Sequence, residues 1–199
     1  MKPVIQIFLF ASLWLILCAC PSPGNRKDDL LELQKNRYDF KQFTRQHYRG
    51  IYFDCPKVLK NSPVTDYLYK KDGLSLVNGD IGVFLSVEKF DASEADEALF
   101  HYDEGVSRLT AVHELYVEER RKSLKYLENS IRTDLPEGVK LPGSMEVIYG
   151  RKDDYEQDLK YIIATVEKDN NWYVFQFVSG QELSSYLFDD FKEILKSVR

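Results

Sequence analysis

Apolar residues are distributed along this chain in several distinct regimes. Behind Lys2, Val4 to Leu17 form an almost unbroken apolar run. The run is shorter than the roughly 20 residues a spanning helix needs, and it sits where an export signal carries its apolar core. After Cys20 the stretch Pro21-Ser22-Pro23-Gly24-Asn25-Arg26-Lys27-Asp28-Asp29 holds prolines, a glycine and charges with no periodic apolar position. That composition predicts a tether. From Leu30 to about Tyr48, the residues Leu30, Leu31, Leu33, Phe40 and Phe43 recur among charges at imperfect helical spacing. The spacing predicts a short amphipathic helix ending at Gly50. Asp28, Asp29 and Glu32 weigh against laying that helix on anionic lipid, so it is expected to pack on the domain.

Gly50 opens the core. Ile51-Tyr52-Phe53 reads as a strand closed by Asp54 and Pro56, because proline supplies no ladder donor. A further strand is expected around Asp66–Tyr69. Leu74–Val77 and Ile81–Val87 flank Asn78-Gly79-Asp80, a strand–turn–strand pattern with the Asn-Gly pair that tight hairpins favour. Ser93 can cap a helix beginning Glu94-Ala95-Asp96-Glu97, with Gly105 interrupting it. A long helix is then expected from about Arg108 to Asp134. Its apolar stripe would be Leu109, Val112, Tyr116, Leu124, Leu127 and Ile131, with Pro136 and Gly138 ending it.

The last third has the clearest pattern. Met145–Gly150, Leu159–Val166 and Trp172–Val178 read as strands. The last is apolar on both faces apart from Gln176, so both faces of its sheet must be covered. A final helix over about Ser184–Val198 turns Tyr186, Leu187, Phe191, Ile194, Leu195 and Val198 inward. The organisation expected is residues 1–19 as signal, 20–29 as modified cysteine and tether, 30–49 as linking amphipathic segment, and 50–199 as one globular domain.

Composition narrows the class. Net charge is −5, or −6 once Lys2 leaves with the signal, and no basic concentration of the kind nucleic acid requires is visible. Thirteen tyrosines and twelve phenylalanines argue against disorder beyond the tether. The three cysteines are Cys18, Cys20 and Cys55. The segment Leu17-Cys18-Ala19-Cys20 resembles the lipobox of bacterial lipoproteins, with an aliphatic residue three places before the modified cysteine and a small residue directly before it. Leu17 and Ala19 select Cys20 over Cys18, which would have Leu17 directly before the cut. The resemblance implies acylation of Cys20 and a lipid-anchored life in the envelope. Pro21 stands where enterobacterial inner-membrane retention would place Asp. That favours the outer membrane, on its periplasmic face rather than the cell surface. Cys55 is then left without a disulfide partner, and the domain must hold together by its core.

A second resemblance covers Gly50 to Arg199. Tyr161-Ile162-Ile163-Ala164, Trp172–Val178 and the closing Phe191, Ile194 and Ser197 resemble the end of PsbP-like domains. That family implies an α+β fold, an α/β/α sandwich around a mainly antiparallel sheet. Its members are mostly non-enzymatic: photosystem subunits, a nuclear-transport factor and many bacterial lipoproteins. No position matches a binding motif of the family, so no functional residue carries over.

Catalytic signals are weak throughout. His113 has Val117 four residues on, where a zinc helix would need a second histidine, and is expected at a surface or interface. His47 and His101 form no ligand spacing either. Ser179-Gly180 ends a strand and is no nucleophile elbow. Asp153, Asp154, Glu156 and Asp158 lack the glycine of a calcium loop and read as a solvated hairpin tip. Cys55 reads as a small packed residue. Tyr67, Tyr69 and Tyr149 could form an aromatic contact surface, although core packing explains them more simply.

These observations lead to a non-enzymatic, lipid-anchored envelope protein that binds or supports a protein complex, with no cofactor, no metal and no catalytic residue. The alternatives are a glycan- or small-ligand-binding lipoprotein, and an envelope hydrolase using carboxylates or Cys55. The anchor has a direct test: Cys20→Ala abolishes incorporation of labelled palmitate in cells, whereas Cys18→Ala leaves it intact. The opposite pattern would move the lipid to Cys18.

Overall fold

The computed structural model describes residues 41–63, 68–102, 104–152 and 158–199. Among these the chain runs β1 (Phe43–Tyr48), β2 (Ile51–Pro56), β3 (Lys60–Asn61), β4 (Leu74–Asn78), β5 (Val83–Phe90), α1 (Ala92–Leu99), α2 (Arg108–Lys122), β6 (Tyr126–Thr133), β7 (Gly143–Arg151), β8 (Leu159–Lys168), β9 (Asn171–Gly180) and α3 (Gln181–Lys196). Seven strands form one sheet in the order β3-β4-β5-β9-β8-β7-β6, and β1 pairs with β2 as a separate hairpin. Every neighbouring pair is antiparallel. The fold is of the α+β class that the PsbP-like resemblance implied.

Strand alternation assigns each side chain of the sheet to one of two faces. Trp172, Val174 and Val178 of β9 join Tyr161 and Ile163 of β8, Ile148 of β7 and Phe84 and Phe90 of β5. This face is closed by Ala95 and Ala98 of α1 and by Ala111, Val112, Tyr116 and Val117 of α2. On the opposite face Phe175 meets Phe53 of β2 edge to face at 5.3 Å, and Phe177 packs on Phe191 of α3 at 5.5 Å. Layers on both sides of the sheet account for the two-sided apolar pattern of β9.

The closing Phe191, Ile194 and Ser197 each have a physical task. Phe191 and Ile194 are buried in the α3 layer. The Ser197 hydroxyl donates to the Ile194 carbonyl at 2.6 Å and accepts from the Asp54 amide at 2.8 Å. Beside it Tyr52 and Arg199 exchange two backbone hydrogen bonds, at 2.9 and 3.0 Å. The chain end is thereby fastened to β2.

Two hairpins depend on left-handed backbone. Asp169 and Asn170 both have positive φ, so β8 and β9 run to a two-residue turn and absorb most of the connection expected over Glu167–Asn171. Between β1 and β2, Arg49 and Gly50 do the same. A Cβ on Gly50 would lie 3.1 Å from the Tyr173 hydroxyl, which donates to the Arg49 carbonyl at 2.9 Å.

Several elements differ from expectation. Phe43–Tyr48 is strand, not the end of a helix, because β2 supplies a ladder partner and Tyr48 becomes buried; Lys41 and Gln42 are not helical either, and the part of the expected helix before them lies outside the described residues. Leu68 and Tyr69 are not strand, and Asp66 and Tyr67 lie outside the described residues. Helix α1 starts two residues earlier than Ser93 indicates: Asp91 caps it and closes a reciprocal box with Glu94. The long helix expected to Asp134 stops at Lys122, and Tyr126–Thr133 becomes the edge strand β6. Leu127 and Ile131 are exposed there and bury no helical stripe. Tyr186 of α3 is exposed as well.

The fastening of the chain end has a measurable consequence. Ser197→Ala removes the acceptor of the Asp54 amide, and stability should fall by about 1 kcal/mol. A urea unfolding midpoint that does not move would show that the hydroxyl bridge contributes nothing.

Candidate functional site

Helix α2 turns a polar stripe toward the sheet. Its buried residues include His113, Tyr116 and Arg120 among Ala111, Val112 and Val117. Arg120 Nε donates to Gln176 Oε1 at 2.7 Å, and Gln176 Nε2 donates to Ser86 Oγ at 3.4 Å. Ser86 is hydrogen-bonded to Tyr116, whose hydroxyl donates to Glu88 Oε1 at 2.5 Å. Arg121 and Ser130 both bond the buried Glu146. Arg120, Gln176, Ser86, Tyr116 and Glu88 thus hold one another, as burial requires, whereas His113 Nε2 and Trp172 Nε1 are buried on this face without a hydrogen-bond partner among the described residues.

Glu88 ends the hydrogen-bonded chain and pins a distant segment. Its oxygens accept from the amides of Tyr69 at 3.0 Å and Lys70 at 2.5 Å. Burial raises its carboxyl above the ordinary carboxylate range, against the opposing pull of these bonds, of Tyr116 and of Arg120. The same burial, reinforced by Glu88, raises Tyr116 well above the ordinary tyrosine value. Lys70 Nζ donates to the Lys89 carbonyl at 2.6 Å and to Glu94 Oε1 at 2.5 Å. The Tyr69 ring leans on Phe90 and Tyr116, with centroids 6.0 and 6.1 Å away.

This fixed segment forms one wall of a cleft of about 160 Å³, with Phe90, Ala98 and Leu115 as floor and Lys70, Glu94, Glu97 and His101 at the rim. At the end of α1, next to the rim, Phe100 is 87% exposed. A cleft this size is below the roughly 300–1,000 Å³ of small-molecule sites, but it accommodates a side chain. An exposed ring beside an apolar notch is the arrangement of a protein contact. Two larger grooves, of about 530 and 360 Å³, lie on either side of Lys57 and Lys60 near β3. They are shallow and open.

The residues singled out from the sequence do not assemble. Cys20 lies outside the described residues, as do Tyr67, Asp153, Asp154 and Glu156. His113 is fully buried rather than at a surface, because it falls on the inward face of α2 between Val112 and Tyr116. Its Nδ1 lies 3.0 Å from Thr165 Oγ1. Cys55 is buried and burial pushes its thiol up to about 12, which removes it as a nucleophile. Tyr149 belongs to β7 and pairs with Asn129 and Lys160, away from Tyr69, so Tyr69 and Tyr149 share no surface. Among the described residues no three His, Cys, Asp or Glu side chains converge to hold a metal ion. The pattern reading missed Glu88, Lys70 and Phe100. The run Phe100-His101-Tyr102 ahead of Gly105 was the available signal for an exposed aromatic turn.

No protein-family model matches this chain, and no curated protein matches it. Among solved structures, a variant of Mog1 is similar with a TM-score of 0.51 at 10% identity, over 79% of this chain and 95% of that one. The Saccharomyces cerevisiae Ran-binding protein Mog1p gives 0.50 at 9% identity over the same shares. Cyanobacterial PsbP from Synechocystis gives 0.47 at 10% identity, over 79% of this chain and 91% of that one. The fold is thus the one Mog1 has, with a mainly antiparallel sheet between helices.

His113 gives the polar stripe a pH signature. Burial and then Arg132 lower its pKa from the ordinary 6.5 to about 4. The unfolded chain therefore binds a proton that the folded chain refuses between these values. Stability should fall as pH drops from about 6.5 to about 4, by up to about 3 kcal/mol from this group. Urea unfolding at neutral pH and near pH 4 should show a shallower decline for His113→Asn, which retains a partner for Thr165. Parallel declines would acquit His113.

Proposed function

We propose that this chain is a lipid-anchored, non-enzymatic protein of the bacterial cell envelope that binds or supports a protein complex. The observation that carries the reading is Leu17-Cys18-Ala19-Cys20 directly behind a short apolar run and ahead of a proline-rich tether. Acylation of Cys20 would fix the domain at a membrane surface, with Pro21 favouring the outer membrane on its periplasmic side. Residues 1–19 would leave as signal, and 20–29 would give the domain its reach.

Partner contact fits best on the α1–α2 side. Phe100 and the Tyr69–Phe90–Leu115 cleft provide a ring and a notch next to one another. The rim alternates Lys70 and His101 with Glu94 and Glu97, which gives orientation without strong charge. Mog1p, of the same fold, is described as a Ran-binding protein, and that supports a protein partner as the mode of action here.

A photo-reactive phenylalanine analogue at position 100 should cross-link to one discrete envelope protein in cells. Pull-down from detergent-solubilised envelopes should recover the same protein with the unaltered chain. Phe100→Asp should lower that recovery at least tenfold, the loss expected from removing one central aromatic contact. Failure to recover any stable partner, or equal recovery with the variant, would defeat the reading.

A further inference from the structure

The side of the sheet that faces α3 carries a series of aromatic and cationic side chains that no part of the preceding reading uses. Lys125 Nζ lies 5.6 Å from the Tyr126 ring centre, and Arg151 Cζ lies 4.9 Å from the same ring. Two residues before Arg151 on β7, and therefore on the same face, stands Tyr149. Lys160 Nζ of β8 is 5.4 Å from the Tyr149 ring and 5.0 Å from the Phe188 ring. Phe188 also carries Lys192 Nζ at 4.4 Å. The series is continuous from β6 across β7 and β8 to α3. Five such contacts fall in this one band.

The charge of the band departs from that of the molecule. Four cations gather here on a chain of net charge −5. Among the described residues Arg151 and Lys160 form no ion pair with a carboxylate, while Lys192 shares Asp189 at 2.9 Å. Glu128 at the border is occupied by Gln181 Nε2 at 2.7 Å. Tyr126 is 51% exposed, and Tyr149 and Phe188 are half-buried.

We propose that this band is a membrane-contact surface that seats on the anionic phospholipid headgroups of the bilayer to which the chain is anchored. The proposal rests on the lipid-anchored reading above and gives that reading an orientation. Aromatic rings mixed with Lys and Arg are the composition that settles at the headgroup level, with apolar ring surface beside cations facing phosphates. The band sets three rings among its cations. Its three rings would contribute nothing to binding an isolated ion. An acyl chain on Cys20 holds the domain within a tether's length of the bilayer, so a weak surface contact is enough to orient it. The cleft beside Phe100 lies on the opposite face of the sheet and would then point away from lipid, toward a partner.

The test uses the mature chain, residues 20–199, with Cys20→Ser so that no acyl group supplies affinity. It is sedimented with phosphatidylcholine vesicles with and without phosphatidylglycerol. Binding is expected only where phosphatidylglycerol is present, and should weaken as salt is added. Arg151→Glu with Lys160→Glu should lower partitioning at least tenfold, since each cation near an anionic surface is worth about fivefold. Tyr126→Ser should lower it too, whereas Lys57→Glu with Lys60→Glu, near β3, should not. Circular dichroism melts confirm that each variant is folded. Equal binding to neutral vesicles, no binding, or an unchanged Arg151/Lys160 double variant overturns the proposal. Palmitate labelling of the unaltered chain in cells keeps the two readings apart. A labelled chain without vesicle affinity overturns the contact alone, and an unlabelled chain overturns the anchor while the vesicle result still decides the contact.

Discussion

Strand β9 lies between two layers, and the rest of the structure follows from the need to cover it twice. Apart from its first residue, every position of Asn171–Gly180 is buried. A strand with apolar side chains on both faces and neighbours on both edges must have a layer above and a layer below. Trp172, Val174 and Val178 call for α1 and α2, whereas Phe175 and Phe177 call for the β1–β2 hairpin and α3. The fastening of Arg199 to Tyr52 and of Ser197 to Asp54 then joins the two pieces of the second layer, so hairpin and helix close the face as one lid.

Gln176, the buried polar residue at the middle of β9, determines the chemistry of the first layer. Gln176 sits at the centre of the sheet with no access to water, so its amide needs partners on both sides. Arg120 and Ser86 provide them, and Ser86 leads through Tyr116 to Glu88. A fully apolar interface between α2 and the sheet would tolerate sliding by a turn, whereas a connected polar chain has one satisfied register. The same chain extends to the surface, because Glu88 is satisfied only when Tyr69 and Lys70 come to it. One buried glutamine thus settles the pose of α2 and one wall of the cleft beside Phe100.

What was legible in the sequence was what packing dictates locally. Two-sided runs such as Leu159–Val166 and Trp172–Val178 announce buried strands, and Leu187, Phe191, Ile194 and Leu195 announce the inner face of α3. Strand β6 was illegible because it is an edge. With a single neighbour and an exposed surface, Tyr126–Thr133 has no apolar alternation, and the spacing of Leu127 and Ile131 imitates a helix. Strand β1 was hidden for a related reason, since its partner β2 supplies the ladder and of its own residues only Tyr48 is buried. Glu88 was invisible because its partners, Tyr69 and Lys70, are far away in sequence, and a lone carboxylate after Val87 looks like the end of a strand. The alternation of Phe84, Ser86, Glu88 and Phe90 against Leu85, Val87 and Lys89 shows that the strand continues through it. His113 was misjudged because helical spacing places a residue on a face without saying whether a hydrogen-bond partner waits there.

The two faces of the sheet are therefore unequal as surfaces, and the inequality bears on function. On the α1–α2 side the outward residues are mostly charged and internally paired, as in Arg108–Asp96 and Arg132–Glu114, with Phe100 as an isolated apolar projection. Paired charges repel no particular partner and attract none, so recognition there falls to shape and to one ring. On the α3 side Arg151 and Lys160 lie against the Tyr126 and Tyr149 rings, while Lys192, over Phe188, also pairs with Asp189. A cation on a ring keeps its net charge, whereas a cation in an ion pair does not, so Arg151 and Lys160 retain a field for a distant anion to meet. An acidic molecule that sets Arg151 and Lys160 against rings on the face opposite its exposed phenylalanine has two ends with different solvents in view. For a tethered domain, that asymmetry is what allows a bilayer to turn one face down and leave the other free.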